Sequence, residues 1–225
     1  MILSGDPKNR VYSKTKSFAF AADPVALFGA ISDGGKRPHT LLLESADIMT
    51  RCGEKSLIVA SAAMKATCRG LDVYLEALTD NGENALKVLA VRLSLFVIEA
   101  DAKSIRLRFH QADAKQNLES RLLCSSSLDV LRMMTQAFEL PAGILAEHFL
   151  VAGIFSYDAV DQFEDLPKAK EDELQFPDYV FWLPEQLIII DHRLQTTQLI
   201  EHGFKESPLE KGGRGIFSLY NRKHH

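Results

Sequence analysis

Two hydrophobic periods alternate along this chain. Leu41-Leu42-Leu43 is a short apolar run bounded by polar residues, a pattern that predicts a buried strand, and Leu57-Ile58-Val59 is a second continuous apolar run that predicts a strand. Ile105 to Phe109 alternates apolar with basic residues and predicts a half-exposed strand. Between Glu83 and Phe96 the apolar positions Leu86, Leu89, Ala90 and Leu93 recur at helical spacing.

Punctuation residues divide these runs. An edge strand is expected around Ser17 to Phe20. Asp23-Pro24 reads as a helix start, a capping carboxylate followed by a proline at the first helical position, with Val25, Leu27, Phe28 and Ile31 along the helix and Gly34-Gly35 as its stop. Thr40 to Glu44 is expected to be a buried strand. Lys55 to Tyr74 reads as two strands joined by a turn at Arg69-Gly70-Leu71-Asp72, although the alanine-rich centre, Ala60 to Ala66, also suits a helix. Thr79-Asp80-Asn81-Gly82 reads as a second turn. Ala112 to Ser120 is polar and expected to be a loop. Ser126 or Ser127 is expected to cap a helix carrying Leu128, Leu131, Met134 and Phe138 that ends by Pro141. Phe149 to Ser156 predicts a buried strand, with Gly153 marking a close backbone approach, and Lys168 to Glu173 a solvated loop. Tyr179 to Asp191 is strand-rich, with Pro184 as a break or bulge. From Gly203 the sequence changes character. Lys211-Gly212-Gly213-Arg214-Gly215 is glycine-rich, and residues 203–225 are treated as a divergent tail behind a main region of residues 1–202.

Composition narrows the function classes. With 46% apolar and 25% charged residues, the 225-residue chain suits a soluble globular protein able to bury a core. A net charge of -4, with no basic stripe, gives no nucleic-acid footprint. No apolar run is long enough for a membrane span. Met1 to Arg10 is polar, so no signal peptide is expected and the cytoplasm is the expected location. Cys52, Cys68 and Cys124 are odd in number and lack C-x-x-C spacing, which predicts free, buried or half-buried thiols.

Catalytic patterns are missing. There is no G-x-S-x-G, H-E-x-x-H, Walker loop or G-x-G-x-x-G, and Gly34-Gly35-Lys36 lacks the spacing of a phosphate loop. His110, His148 and His192 read as surface or hydrogen-bonded histidines. The acidic cluster Asp158, Asp161, Glu164 and Asp165 reads as solvated rather than metal-binding. No catalytic residue, metal ligand or cofactor is assigned to this chain.

Leu42-Leu43-Glu44-Ser45-Ala46-Asp47 resembles the tryptophan-binding motif of the large subunit of anthranilate synthase, component I. Ala152-Gly153-Ile154-Phe155-Ser156-Tyr157-Asp158, with Phe163-Glu164-Asp165-Leu166-Pro167 after it, is similar to a second segment of that family. Pro177-Asp178-Tyr179 and Leu187 to His192 resemble a third. The resemblance runs from about Pro24 to about His192. It implies an α+β fold of antiparallel sheets packed with helices, and an L-tryptophan feedback site with Ser45, Glu44 and Lys55 as ligand-binding residues. It further implies an enzyme converting chorismate to anthranilate with a glutamine amidotransferase subunit as partner. Magnesium is then expected on a C-terminal chorismate-binding domain, to which nothing here corresponds, so no chorismate chemistry is expected of this chain alone. Aminodeoxychorismate synthase component I and a stand-alone amino-acid-binding module are the alternative readings. The intact Leu-Leu-Glu-Ser-Ala-Asp motif favours the anthranilate enzyme over the former.

Overall fold

The computed structural model describes residues 10–44, 54–110, 124–162 and 174–204. Among these, nine strands form one curled antiparallel sheet carrying three α-helices, an α+β architecture. The strands are β1 (Tyr12–Phe18), β2 (Leu41–Leu43), β3 (Lys55–Arg69), β4 (Asp72–Ala77), β5 (Val97–Ala100), β6 (Ser104–Arg108), β7 (Ala152–Phe155), β8 (Tyr179–Asp191) and β9 (Thr196–Gly203). The helices are α1 (Pro24–Ile31), α2 (Asp80–Arg92) and α3 (Asp129–Gln136). Ser45, Cys52, the loop expected at Ala112 to Ser120, the run Lys168 to Glu173 and the tail beyond Phe204 lie outside the described residues.

Two long strands form the spine. β3 and β8 pair along their whole length, and each is flanked on its outer side by two shorter strands. β2 and then β4 pair with β3, while β7 and then β9 pair with β8. Lys55 stands opposite Asp191 and Cys68 opposite Tyr179, so thirteen steps along β3 match twelve along β8. The extra residue is absorbed by register shifts between Val59 and Met64, around the partner Pro184. Proline has no N–H to give to the ladder, so the bulge expected at this residue falls where pairing is weakest.

One inserted residue exchanges the faces of a strand. Before the bulge, Ile58 and Ala60 lie under α1 with Ile188, Ile190 and Leu199, while Val59 lies on the other face with Leu187, Ile189 and Ile200. Beyond it, Met64, Ala66 and Cys68 pack with Leu86 and Leu89 of α2 and Val130 and Met134 of α3. Lys65 and Thr67 then carry the polar face. The alanine-rich centre of β3 is therefore strand, and its lost alternation is the bulge itself.

Local chemistry explains the helices. The Asp23 carboxylate accepts the Ala26 N–H at 2.9 Å, and Leu27 and Ile31, one turn apart, are buried. Gly34, at φ 64°, donates to Gly29 O at 2.8 Å as α1 ends. Thr79-Asp80-Asn81-Gly82 is not a separate turn. It is the cap and first turn of α2, because Thr79 Oγ1 accepts the Gly82 N–H at 3.1 Å. α3 also departs from expectation: neither Ser126 nor Ser127 caps it through its side chain. The Ser126 N–H instead donates to the Asp129 carboxylate, and the Ser127 hydroxyl is drawn off to Gln162.

The two strands expected to be buried are only partly so. β2 is three residues long and its Leu43 is exposed. Within the expected strand Phe149 to Ser156, only Ala152–Phe155 is β-structure, and Ile154 and Phe155 are exposed. Each pairs with one neighbour only, β2 with β3 and β7 with β8, so among the described residues they are edges. β1 starts earlier than expected, drawn out by pairing with β9, and β5 and β9 had no sequence-level expectation. Cys68 is a buried free thiol and Cys124 a half-buried one.

Asp178 fastens the β3–β4 turn to β8. Its carboxylate accepts the Gly70 N–H at 2.6 Å and Gln162 Nε2 at 2.8 Å, while the neighbouring Tyr179 hydroxyl donates to Ser127 O at 2.7 Å. Gly70 sits at φ 57°, a left-handed conformation that glycine adopts without penalty.

Gly82 lets the first turn of α2 lie directly on the sheet. A Cβ there would stand 1.9 Å from Ala63 O, the carbonyl that accepts the Leu78 N–H at 2.8 Å. On helix propensity alone Gly82→Ala should stabilise α2 by up to about 1 kcal/mol. Backbone overlap should outweigh this, with a net loss of about 1–3 kcal/mol read from urea denaturation. A gain in stability would contradict the packing described.

Candidate functional site

β2 and β3 run antiparallel with Leu43 opposite Leu57, so Glu44 leaves β2 at the end of the sheet where Lys55 and Ser56 enter β3. Two of the three residues expected from sequence thus lie at the same end of the sheet, but the register aligns Glu44 with Ser56, on the α1 side, rather than with Lys55. Ser45, the third, lies outside the described residues. Glu44 is exposed. Ser56 is fully buried and its hydroxyl lies 2.8 Å from His192 Nε2. The His192 N–H donates to Glu54 O at 2.8 Å, and its ring meets Phe20 edge-on at 6.1 Å. His192 is therefore a hydrogen-bonded histidine closing the strand pair, as expected.

Strand alternation places Lys55 on the face that carries Leu57 and Val59, away from α1. Leu41, Leu57 and Leu150 are half-buried there against Val59, Leu187, Ile189 and Ile200. Lys55 Nζ lies 3.0 Å from Glu147 Oε1, with side chains 37% and 55% exposed. A pair so open to water adds only about 0–1 kcal/mol to stability. Its consequence is local: it sets opposite charges side by side at the rim of an apolar surface.

Glu147 belongs to a short 3-10 turn, Ala146–His148, and the core fixes that turn on its C-terminal side. Phe149 is buried against Phe138, Phe204 and His202. His148 O accepts from His202 Nε2 at 2.9 Å. Because a carbonyl can only accept, His202 carries its proton on Nε2, and its Nδ1 accepts from the Ser13 hydroxyl at 2.8 Å. Burial pushes the His202 pKa down to about 4 and also lowers that of His148. Nothing in the sequence around Glu147 signals this role. It is 92 residues from Lys55, and only the folded sheet brings the two together.

A concavity of about 560 Å³ lies on the other wing of the sheet. It is lined by Lys65, Thr67, Tyr74, Glu76, Glu99 and Arg106, among others. Its charges neutralise one another. Lys65 meets Glu76 at 2.6 Å, and Arg106 meets Asp72 at 3.0 Å and Glu99 at 3.3 Å while lying over the Tyr74 ring. Arg108 grips both oxygens of Asp72 and holds its carboxyl below the usual carboxylate range. That leaves little free charge for a ligand.

Among the described residues, no group of three or more His, Cys, Asp or Glu could hold a metal ion. Of the acidic cluster noted in the sequence, Asp158 is exposed, and Glu164 and Asp165 lie outside the described residues. Among the described residues no helix is long and apolar enough to cross a membrane.

No family model matches the chain. Full-length relatives do. The anthranilate synthase component 1 of Vibrio cholerae is 37% identical over 210 residues, spanning 91% of this chain and 39% of its own length. Those of Serratia marcescens and Escherichia coli are each 36% identical, over 193 and 194 residues, covering 85% and 86% of this chain. The chain spans 36–39% of the length of these relatives.

The buried His202 couples the turn bearing Glu147 to pH. Its pKa is 6.5 in the unfolded chain and about 4 in the folded one, so between these values the unfolded state binds more protons. The stability it contributes is complete above pH 6.5 and is lost as the pH falls towards about 4. The loss sums to about 3 kcal/mol. Urea midpoints measured across this interval should fall with pH for the natural chain and fall less steeply for His202→Gln. Equal slopes would contradict the assignment.

Proposed function

Because the chain belongs to the anthranilate synthase component 1 family, we propose that it forms the L-tryptophan-binding regulatory part of such a large subunit. The observation that carries this reading is that Lys55 and the half-buried Leu41 and Leu57 share one face at the end of the sheet where β2 runs into Glu44. Free tryptophan has a carboxylate, an ammonium and a large indole. It needs a cation, an acceptor and an apolar slot close together. Lys55 supplies the cation and the leucines offer part of the slot, while Glu44, which follows the last residue of β2, is assigned the acceptor role. Ser45, the next residue of the motif, is assigned a direct contact with the ligand.

In this reading the conversion of chorismate to anthranilate, with its magnesium and the ammonia delivered by a glutamine amidotransferase subunit, belongs to the length of the relatives that this chain does not span. Feedback inhibition then requires that tryptophan bind one arrangement of the whole subunit more tightly than another, since a ligand shifts an equilibrium only by its differential affinity. The sheet end described here is one wall of that pocket. The expected location is the cytoplasm.

The test is a titration of the isotope-labelled chain with L-tryptophan, followed by amide resonances. A single wall supports millimolar affinity, about 4 kcal/mol. Shifts are expected at Glu44, Ser45, Lys55 and Ser56. No shift at millimolar ligand, or shifts confined to the concavity around Lys65 and Arg106, would overturn the proposal.

A further inference from the structure

We propose that Glu147 is itself a ligand-binding residue, accepting the α-ammonium of a free amino acid whose α-carboxylate is held by Lys55. The inference rests on the tryptophan reading above and adds to it a residue outside the Leu-Leu-Glu-Ser-Ala-Asp motif.

Three features converge on it. The first is charge order. Lys55 Nζ and Glu147 Oε1 are 3.0 Å apart. The ammonium has three N–H donors and uses one on Glu147, while Glu147 keeps its second oxygen as an acceptor. An amino-acid zwitterion laid beside the pair places carboxylate on ammonium and ammonium on carboxylate, giving four alternating charges. A lone amine or a lone carboxylate matches only half of the arrangement.

The second feature is fixation. Lys55 begins a fifteen-residue strand, and Glu147 sits in a turn fastened by buried Phe149 and by the His202 bond to His148 O. Neither backbone position needs to be ordered when ligand arrives, so less entropy is lost on binding. The third is the neighbourhood: Leu41, Leu57 and Leu150 lie half-buried on the Lys55 face, so the ligand class is an α-amino acid with a large apolar side chain. Glu147 is also the acidic side chain within hydrogen-bond reach of Lys55, whereas Glu44 is placed by register alone.

The closing experiment compares three probes: L-tryptophan, indole-3-propionate (no ammonium) and tryptamine (no carboxylate). Each is titrated into the natural 225-residue chain, Glu147→Gln and Lys55→Gln, with amide resonances as readout. Glu147→Gln should weaken L-tryptophan and tryptamine by about tenfold and leave indole-3-propionate unweakened. Lys55→Gln should weaken L-tryptophan and indole-3-propionate instead. A merely structural role for Glu147 predicts equal weakening of all three probes, with disturbed resonances far from the site, and would overturn the assignment. So would unchanged L-tryptophan affinity in Glu147→Gln. If the natural chain binds none of the probes, the tryptophan reading itself fails, an outcome distinct from binding that ignores Glu147.

Discussion

The β3–β8 ladder is the constraint on which the rest of this protein depends. Lys55–Cys68 of β3, one residue longer than the whole of β8, shares one ladder with it because the bulge opposite Pro184 absorbs the extra residue. Without the bulge, the side chains beyond Met64 would exchange faces. Lys65 and Thr67 would enter the core under α2, while Ala66 and Cys68 would face water. Because the phase shifts once, one strand serves α1 with its even-numbered residues on the near side and α2 with its even-numbered residues on the opposite side. Gly82 meets the sheet at Ala63, within the bulged stretch, which is why α2 tolerates a helix-weakening residue in its first turn.

The candidate site follows from the same ladder. Its N-terminal half fixes Lys55 opposite Asp191 and sets the leucines of β2 and β3 side by side. His192, the residue after the C-terminal end of β8, closes on Ser56. β9, paired to β8, brings His202 into the core, and His202 fastens the turn that holds Glu147 against Lys55. Every charged or polar group of the rim is therefore referenced to the spine, directly or through one hydrogen bond. The apolar surface beside it is only half-covered, and ordered charges beside uncovered apolar surface are what a zwitterionic ligand with an indole body requires.

Much of this was legible in the sequence. Asp23-Pro24 marked α1 because cap and proline act locally, and the turn at Gly70 and the close approach at Gly153 followed from what only glycine permits. Gly153 would otherwise press a Cβ to 2.1 Å from Val180 O. What stayed hidden was non-local. The centre of β3 shows neither period because a bulge interrupts alternation, and the cap of α2 resembled a turn because Thr-Asp-Asn-Gly chemistry serves both. β5 was concealed at the end of an apparent helix. Glu44 and Lys55 were named from a family resemblance, whereas nothing local singles out Glu147, whose ion-pair partner is 92 residues away.

The central claim is that the leucines and charges at this sheet end form one amino-acid site. The most direct measurement is of intermolecular NOEs between the indole protons of L-tryptophan and methyl groups of the labelled chain. Contacts to the methyls of Leu41, Leu57 and Leu150 are predicted. NOEs confined to the Thr67 methyl in the concavity around Lys65 and Arg106, or none from a ligand shown to be bound, would contradict the account.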